Sequence, residues 1–229
     1  MGIRDSGSGK ACGAWAEGLA VPAVRALRAY DPGHDLVALR RAAKTGLVEL
    51  GSNENPSGPS PRALEAAAMV LGEAHRYPDS LGGDLKRALA GKHGVDVSQL
   101  VLGNGSHELL MQLAQVFAGP GVDVVMSQFG FAVYAIATQA VGATLRVAPA
   151  QSGDARMPRG HDLDAIAAAI TPATRLVYLA NPNNPTGTWF SRDAFAAFIA
   201  KVPEHAIVVV DEAYAEIADA PDFGSALPL

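Results

Sequence analysis

The sequence predicts an α/β fold: three layers, with a mostly parallel β-sheet covered by helices on both faces. From about residue 100 onward, short apolar runs of strand length alternate with segments of helical period. The strand candidates are apolar at successive positions, as in Val208-Val209-Val210, which is the pattern of strands buried on both faces. The segments that follow them are rich in Gly, Asn and Asp, and in open parallel sheets ligands bind beyond the carboxyl ends of the strands.

The elements follow in order. Residues 1–20 are rich in Gly, Ser and Ala, lack periodicity and read as a mobile tail. Val21–Leu27 and Leu36–Ala43 read as short helices around the turn Asp31-Pro32-Gly33. Leu47-Val48-Glu49-Leu50 is extended and runs into Gly51-Ser52-Asn53-Glu54-Asn55-Pro56, a composition that favours turns. Pro61–Leu71 is a helix with Pro at its start, Tyr77-Pro78-Asp79 breaks the chain, and Gly83–His93 is a second helix. Leu100–Gly103 reads as a short buried strand. Ser106–Phe117 reads as a helix with Ser106 as N-cap and apolar positions at Leu109, Leu110, Leu113 and Val116. Strands at Val122–Met126, Thr144–Ala148, Arg175–Leu179 and Ala206–Val210 then alternate with helices at Ala132–Val141, Asp162–Ile170 and Arg192–Ile199. Asp154–Gly160 is an excursion from that alternation.

Composition bounds the function. The 229 residues are 49% hydrophobic and 18% charged, enough for one sizeable core, or one domain and part of another. A net charge of -5 gives no electrostatic attraction to nucleic acid or an anionic membrane. The single cysteine, Cys12, excludes an intrachain disulfide and fits a reducing compartment. No run of about 18 apolar residues is present, and Met1–Ala20 lacks the apolar block of a signal peptide. The expected location is the cytoplasm.

Three strand ends carry the chemistry. Gly103-Asn104-Gly105-Ser106-His107-Glu108 joins a strand to a helix. Its glycines let backbone approach a ligand, and the helix N-terminus offers N–H groups and positive potential to a phosphate, although turn geometry alone accounts for many such glycines. Asn181-Pro182-Asn183-Asn184-Pro185-Thr186-Gly187 contains more turn-forming residues than one ordinary turn uses. Asp211 and Tyr214 follow the last strand. A carboxylate there is a cap or a functional group rather than a buried orphan, and a carboxylate facing a pyridinium nitrogen is what a pyridoxal electron sink requires.

Taken together, Gly-Asn-Gly-Ser, an aromatic segment, Asn-Pro-Asn-Asn-Pro-Thr-Gly and Asp-Glu-Ala-Tyr resemble the class I/II aminotransferases of pyridoxal-phosphate fold type I. Ser52-Asn53-Glu54-Asn55-Pro56-Ser57-Gly58-Pro59 and His75-Arg76-Tyr77-Pro78-Asp79 are similar to segments of the histidinol-phosphate aminotransferases. The resemblance runs from about Val21 to Leu229 and implies pyridoxal 5'-phosphate as cofactor. It implies a phosphate site at Gly105, Ser106 and His107, a ring stacked on Phe131, and Asn184 and Tyr214 on the ring's phenolic oxygen. It also implies Asp211 on the ring nitrogen, Tyr77 reaching the phosphate of a neighbouring subunit in a homodimer, and Asn53 and Asn55 at the substrate. No metal is implied. The implied reaction moves an amino group between an amino acid and a 2-oxo acid, histidinol phosphate with 2-oxoglutarate in histidine biosynthesis. An aromatic amino-acid aminotransferase is the alternative within the class, and a non-catalytic pyridoxal-phosphate-fold fragment the alternative outside it. A nucleotide-binding Gly-x-Gly-x-x-Gly protein is disfavoured by Glu108 in the last glycine position.

Two departures bear on this. His107 stands where relatives often carry an acid, and Ser57 where many carry a bulkier residue near the substrate. Relatives also carry the Schiff-base lysine downstream of Asp-x-Ala-Tyr, whereas the lysines here, at 10, 44, 86, 92 and 201, all precede Tyr214. The implied division is a tail over residues 1–20, an N-terminal arm with part of a small domain over 21–80, and a large cofactor-binding domain over 81–229 that is incomplete at its C-terminus. The chain is expected to be a truncated product or gene-model fragment, inactive alone.

Overall fold

The computed structural model describes residues 18–27 and 35–228. Cys12, most of the expected tail and the Asp31-Pro32-Gly33 turn lie outside the described residues. The chain forms two compact units. One is built from Gly103–Leu229 with the described N-terminal residues, the other from the described part of Ala29–Leu102. The helix Gly83–His93, which the sequence reading groups with the large domain, belongs to the second unit.

The first unit holds a four-stranded sheet, β1 (Asp123–Ser127), β2 (Thr144–Ala148), β3 (Thr174–Ala180) and β4 (Ile207–Asp211), in the order β2-β1-β3-β4. Every pairing is parallel. Side chains alternate between its faces. Val124, Met126, Leu176, Tyr178 and Ala180 enter one apolar cluster with Leu110, Val133 and Tyr134 from the helices Ser106–Phe117 and Ala132–Ala140. Val125, Val177 and Leu179 enter the opposite cluster with Ile166, Phe195 and Phe198 from the helices Leu163–Ala169 and Arg192–Ile199. This is the expected three-layer arrangement, and the continuous apolar runs of β1 and β3 exist because both faces are covered.

Local signals set the helix starts. Asp162 caps its helix by accepting from the N–H groups of Asp164 and Ala165, and Ser191 does so from Ala194. The excursion after β2 returns on itself through Gln151 N–H donating to Gly160 O at 2.9 Å and an antiparallel bridge between Ala150 and His161.

Two expectations are corrected. Leu100–Gly103 forms no strand. Leu100 is extended (φ −108, ψ 129) and its N–H turns back to Val97 O, no strand among the described residues pairs with it, and an apolar run becomes a strand only where a neighbouring strand takes its N–H and C=O groups. Ser106 is not the N-cap of its helix. Gly105 is, at φ 79 and ψ 174, and no side chain caps this end. The positive φ at Gly105 suits glycine and turns the chain one residue earlier, which leaves the Ser106 hydroxyl outside a capping role.

In the second unit the helix Pro61–Val70 buries none of its residues, and Leu64, Met69 and Val70 are exposed. Among the described residues no helix is long and apolar enough to cross a membrane.

Candidate active site

The carboxyl ends of the strands open into a shallow concavity of ≈ 60 Å³, partly open to solvent. It is lined by Ser106, Phe131, Ala180, Pro182, Asn184, Asp211, Ala213 and Tyr214. Ala180 and Asp211 are paired terminal residues of β3 and β4, so the concavity lies at the strand ends where parallel sheets place their ligands.

Each lining residue has a local reason for its place. Ser106 opens its helix, and the helix N-terminus beside it is uncapped by any side chain. The preceding turn is shaped by Glu108, whose carboxylate accepts from the Asn104 backbone N–H and, at 3.0 Å, from its side-chain amide. Phe131 stands immediately before the helix Ala132–Ala140 and meets the Tyr134 ring edge-to-face at 5.8 Å between centroids. Asp211 ends β4. Its Oδ1 accepts from Ala213 N–H at 3.2 Å and its Oδ2 from the Tyr134 hydroxyl at 3.1 Å.

The asparagine-rich loop divides its labour. Asn181 is fully buried; its Nδ2 donates to Phe190 O at 3.2 Å and its Oδ1 accepts from Phe190 N–H at 3.0 Å. Asn183, also buried, donates to Phe129 O at 2.9 Å and Thr186 Oγ1 at 2.7 Å. These two amides pin the loop, and Asn184 is left to line the concavity. Both Asn-Pro bonds, Asn181–Pro182 and Asn184–Pro185, are cis.

Ser106, Phe131, Asn184, Asp211 and Tyr214 are therefore brought together. Gly105 and His107 flank Ser106 at the helix start and are exposed. Tyr77, Asn53 and Asn55 belong to the second unit. Tyr77 is fully exposed, Asn53 adopts φ 55, and Asn55 folds its own turn, accepting from Ser57 N–H and donating to Gly58 O.

The sequence reading gave no role to Tyr134 or His161. Tyr134 is fully buried, and burial together with the Asp211 carboxylate pushes its hydroxyl pKa far above the ordinary value, so it stays a neutral donor. His161 accepts from Ala180 N–H through Nε2 at 3.2 Å, while its buried Nδ1 has no hydrogen-bond partner among the described residues. Burial pushes its pKa down to about 4. The sign follows directly. The folded state resists the proton that the unfolded chain accepts near pH 6.5, so stability is full above that pH and falls as pH drops toward the folded value. At about 1.4 kcal/mol per pH unit, His161 should cost about 2 kcal/mol between pH 6.5 and pH 5. Urea midpoints at those two pH values should differ less in His161→Gln than in the parent chain.

A doubly covered parallel sheet thus gathers an uncapped helix N-terminus, an aromatic ring and a strand-end carboxylate around one concavity, at the strand ends where such sheets bind ligands. Residues 45–229 match the model of the aminotransferase class I and II family, and the chain belongs to that family. It is 51% identical over 211 residues to histidinol-phosphate aminotransferase 2 of Methylococcus capsulatus, covering 91% of this chain and 57% of that protein. It is 49% identical to the protein of the same name from Pseudomonas aeruginosa, covering 88% of this chain and 54% of the relative. The crystal structure of histidinol-phosphate aminotransferase from Sinorhizobium meliloti in complex with pyridoxal-5'-phosphate superposes with a TM-score of 0.77 at 30% identity, over 90% of this chain and 54% of that one. The chain thus spans little more than half the length of these relatives.

Proposed function

We propose that this chain supplies the cofactor cradle of a pyridoxal-phosphate-dependent aminotransferase acting on histidinol phosphate and 2-oxoglutarate in histidine biosynthesis, a cytoplasmic homodimer when whole. The observation that carries this reading is the convergence of Ser106, Phe131, Asn184, Asp211 and Tyr214 on one concavity. The donor set fits the cofactor. The N–H groups of Ser106 and His107, which no side chain caps, hold a phosphate with the Ser106 hydroxyl, and Gly105, whose own N–H is bonded to Gly103 O at 2.9 Å, supplies the close backbone approach without a side chain. Phe131 offers a ring face, Asn184 and Tyr214 hydrogen-bond a phenolic oxygen, and Asp211 holds a proton on the ring nitrogen. Pyridoxal phosphate, when bound, supplies a conjugated ring that accepts the electron pair left when a substrate Cα–H bond breaks. Asp211 favours that electron flow by keeping positive charge at the nitrogen, and Phe131 shields the ring face from water. Asn53 and Asn55 contact substrate, and Tyr77 reaches the phosphate of the neighbouring subunit. The exposed apolar side chains of Pro61–Val70 suit burial in such a dimer.

A chimera tests the reading. No lysine follows Tyr214 in these 229 residues, so the chain by itself should bind pyridoxal phosphate but form glutamate from histidinol phosphate and 2-oxoglutarate no faster than the free cofactor does. Fusing it to the C-terminal remainder of the Methylococcus capsulatus relative should yield turnover. Faster turnover of phenylalanine than of histidinol phosphate would favour an aromatic amino-acid aminotransferase instead. Cofactor bound with no turnover of either would leave a non-catalytic binder.

A further inference from the structure

Among the side chains that the proposed chemistry does not use, Tyr134 stands out by its connections. It lies one helical turn after Phe131 and 77 positions before Asp211. Its ring meets Phe131 edge-to-face and stacks on Tyr178 at 5.0 Å and 4° between planes. Tyr178 in turn donates its hydroxyl to Leu110 O at 2.9 Å, inside the helix that begins at Ser106. One buried ring therefore touches the lining aromatic and the strand-end carboxylate, and through Tyr178 the helix that opens at Ser106. Its one polar atom is spent on Asp211.

We propose that Tyr134 is a positioning residue: its hydroxyl fixes the rotation of the Asp211 carboxylate and thereby its discrimination for a ligand bearing a protonated ring nitrogen. The inference rests on the reading of Asp211 as partner of that nitrogen. A carboxylate held at one oxygen only is able to swing about its Cβ–Cγ bond. With Ala213 N–H on Oδ1 and Tyr134 on Oδ2, both oxygens are fixed in plane, and each retains capacity for a further donor. A tyrosine suits the task because a buried phenol remains neutral and protonated throughout the working pH range, so the donor never becomes a competing charge. Sequence reading could not reach this role, since a tyrosine at a helical core spacing is ordinarily read as core.

The test compares pyridoxal phosphate with its 1-deaza analogue, in which the ring nitrogen is replaced by carbon, by equilibrium titration of the 229-residue chain and of Tyr134→Phe. The substitution keeps the stacked ring and removes only the hydroxyl. The parent chain should prefer pyridoxal phosphate to the analogue. In Tyr134→Phe that preference should shrink by about fivefold, part of the tenfold or more that a hydrogen bond to a charged group contributes, because Asp211 keeps its charge and loses only its fixed orientation, with affinity for the analogue unchanged. An equal loss for both ligands would mark Tyr134 as packing alone and overturn the proposal; so would no loss, or a preference that grows. No preference in the parent chain overturns the reading of Asp211 itself, whereas an undiminished preference in the variant overturns only the role of Tyr134. A measurement on the parent chain covers a variant that does not fold. With 13Cζ-labelled tyrosine, the Tyr134 resonance should shift on adding pyridoxal phosphate and not on adding the analogue; a matching shift with both would also overturn the proposal.

Discussion

Replacing Asp211 by asparagine is expected to weaken binding of pyridoxal phosphate to this chain by about tenfold to a hundredfold, since a hydrogen bond to a charged group contributes about 1.5–3 kcal/mol. The substitution is close to isosteric, so the effect isolates charge. Asp211 accepts two bonds, from Ala213 N–H and from the Tyr134 hydroxyl. An asparagine satisfies the first with its oxygen, and Tyr134 turns its hydroxyl to accept from the new amide. The Ala213 N–H keeps its acceptor, but the Tyr134 O–H proton loses its own, so the melting temperature of the unliganded chain should fall modestly. A large fall in melting temperature, or an unchanged affinity measured by fluorescence titration, would show that Asp211 serves the fold rather than the ring nitrogen. Asp211→Ala is the less informative change, because it leaves the buried Tyr134 hydroxyl without its partner.

Much of the site was legible in the sequence because its parts are local. Ser106 follows a Gly-x-Gly turn into a helix, Asn184 sits in a loop too rich in Asn and Pro for a plain connection, and Asp211 ends an apolar run. Each position is fixed by neighbours within a few residues, and a parallel sheet gathers strand ends on one side without further instruction. What was illegible depends on partners distant in sequence. Tyr134 finds Asp211 across 77 positions. His161 is half-buried, its Nδ1 fully so, beside Ala180 and Phe190, although nothing around it in sequence announces a core. Asp123, at the start of β1, is buried and held by Thr171 and Arg146, whose hydrogen bonds lower its carboxyl below the usual range. Leu100–Gly103 failed in the opposite direction. Its propensity is that of a strand, but pairing is a property of two segments, and only one can be read from a run of residues.

The asparagine loop shows how fold and site share residues, and Asn181→Ala should reveal it. Asn181 is fully buried and exchanges two hydrogen bonds with the backbone of Phe190. Its own N–H donates to Asp211 O at 3.0 Å, and that backbone bond survives the substitution. Truncation strands the N–H and C=O of the buried Phe190, each costing about 1–3 kcal/mol, so a loss near 3 kcal/mol is expected in urea unfolding at pH 7. Asn181→Asp is the sharper control. It retains an acceptor for Phe190 N–H but turns a carboxylate oxygen toward Phe190 O where an amide donor stood, and it places a charge in a fully buried site. Aspartate should therefore be worse than alanine at neutral pH, although it resembles asparagine more closely in shape. Equal stability of the two variants would mean that water reaches Phe190 once the amide is gone. Because the staple closes the loop that carries Pro182 and Asn184 to the concavity, both variants should also weaken cofactor binding, while Asp211→Asn weakens binding at a smaller cost in stability. That contrast separates the residues that build the loop from those that meet the ligand.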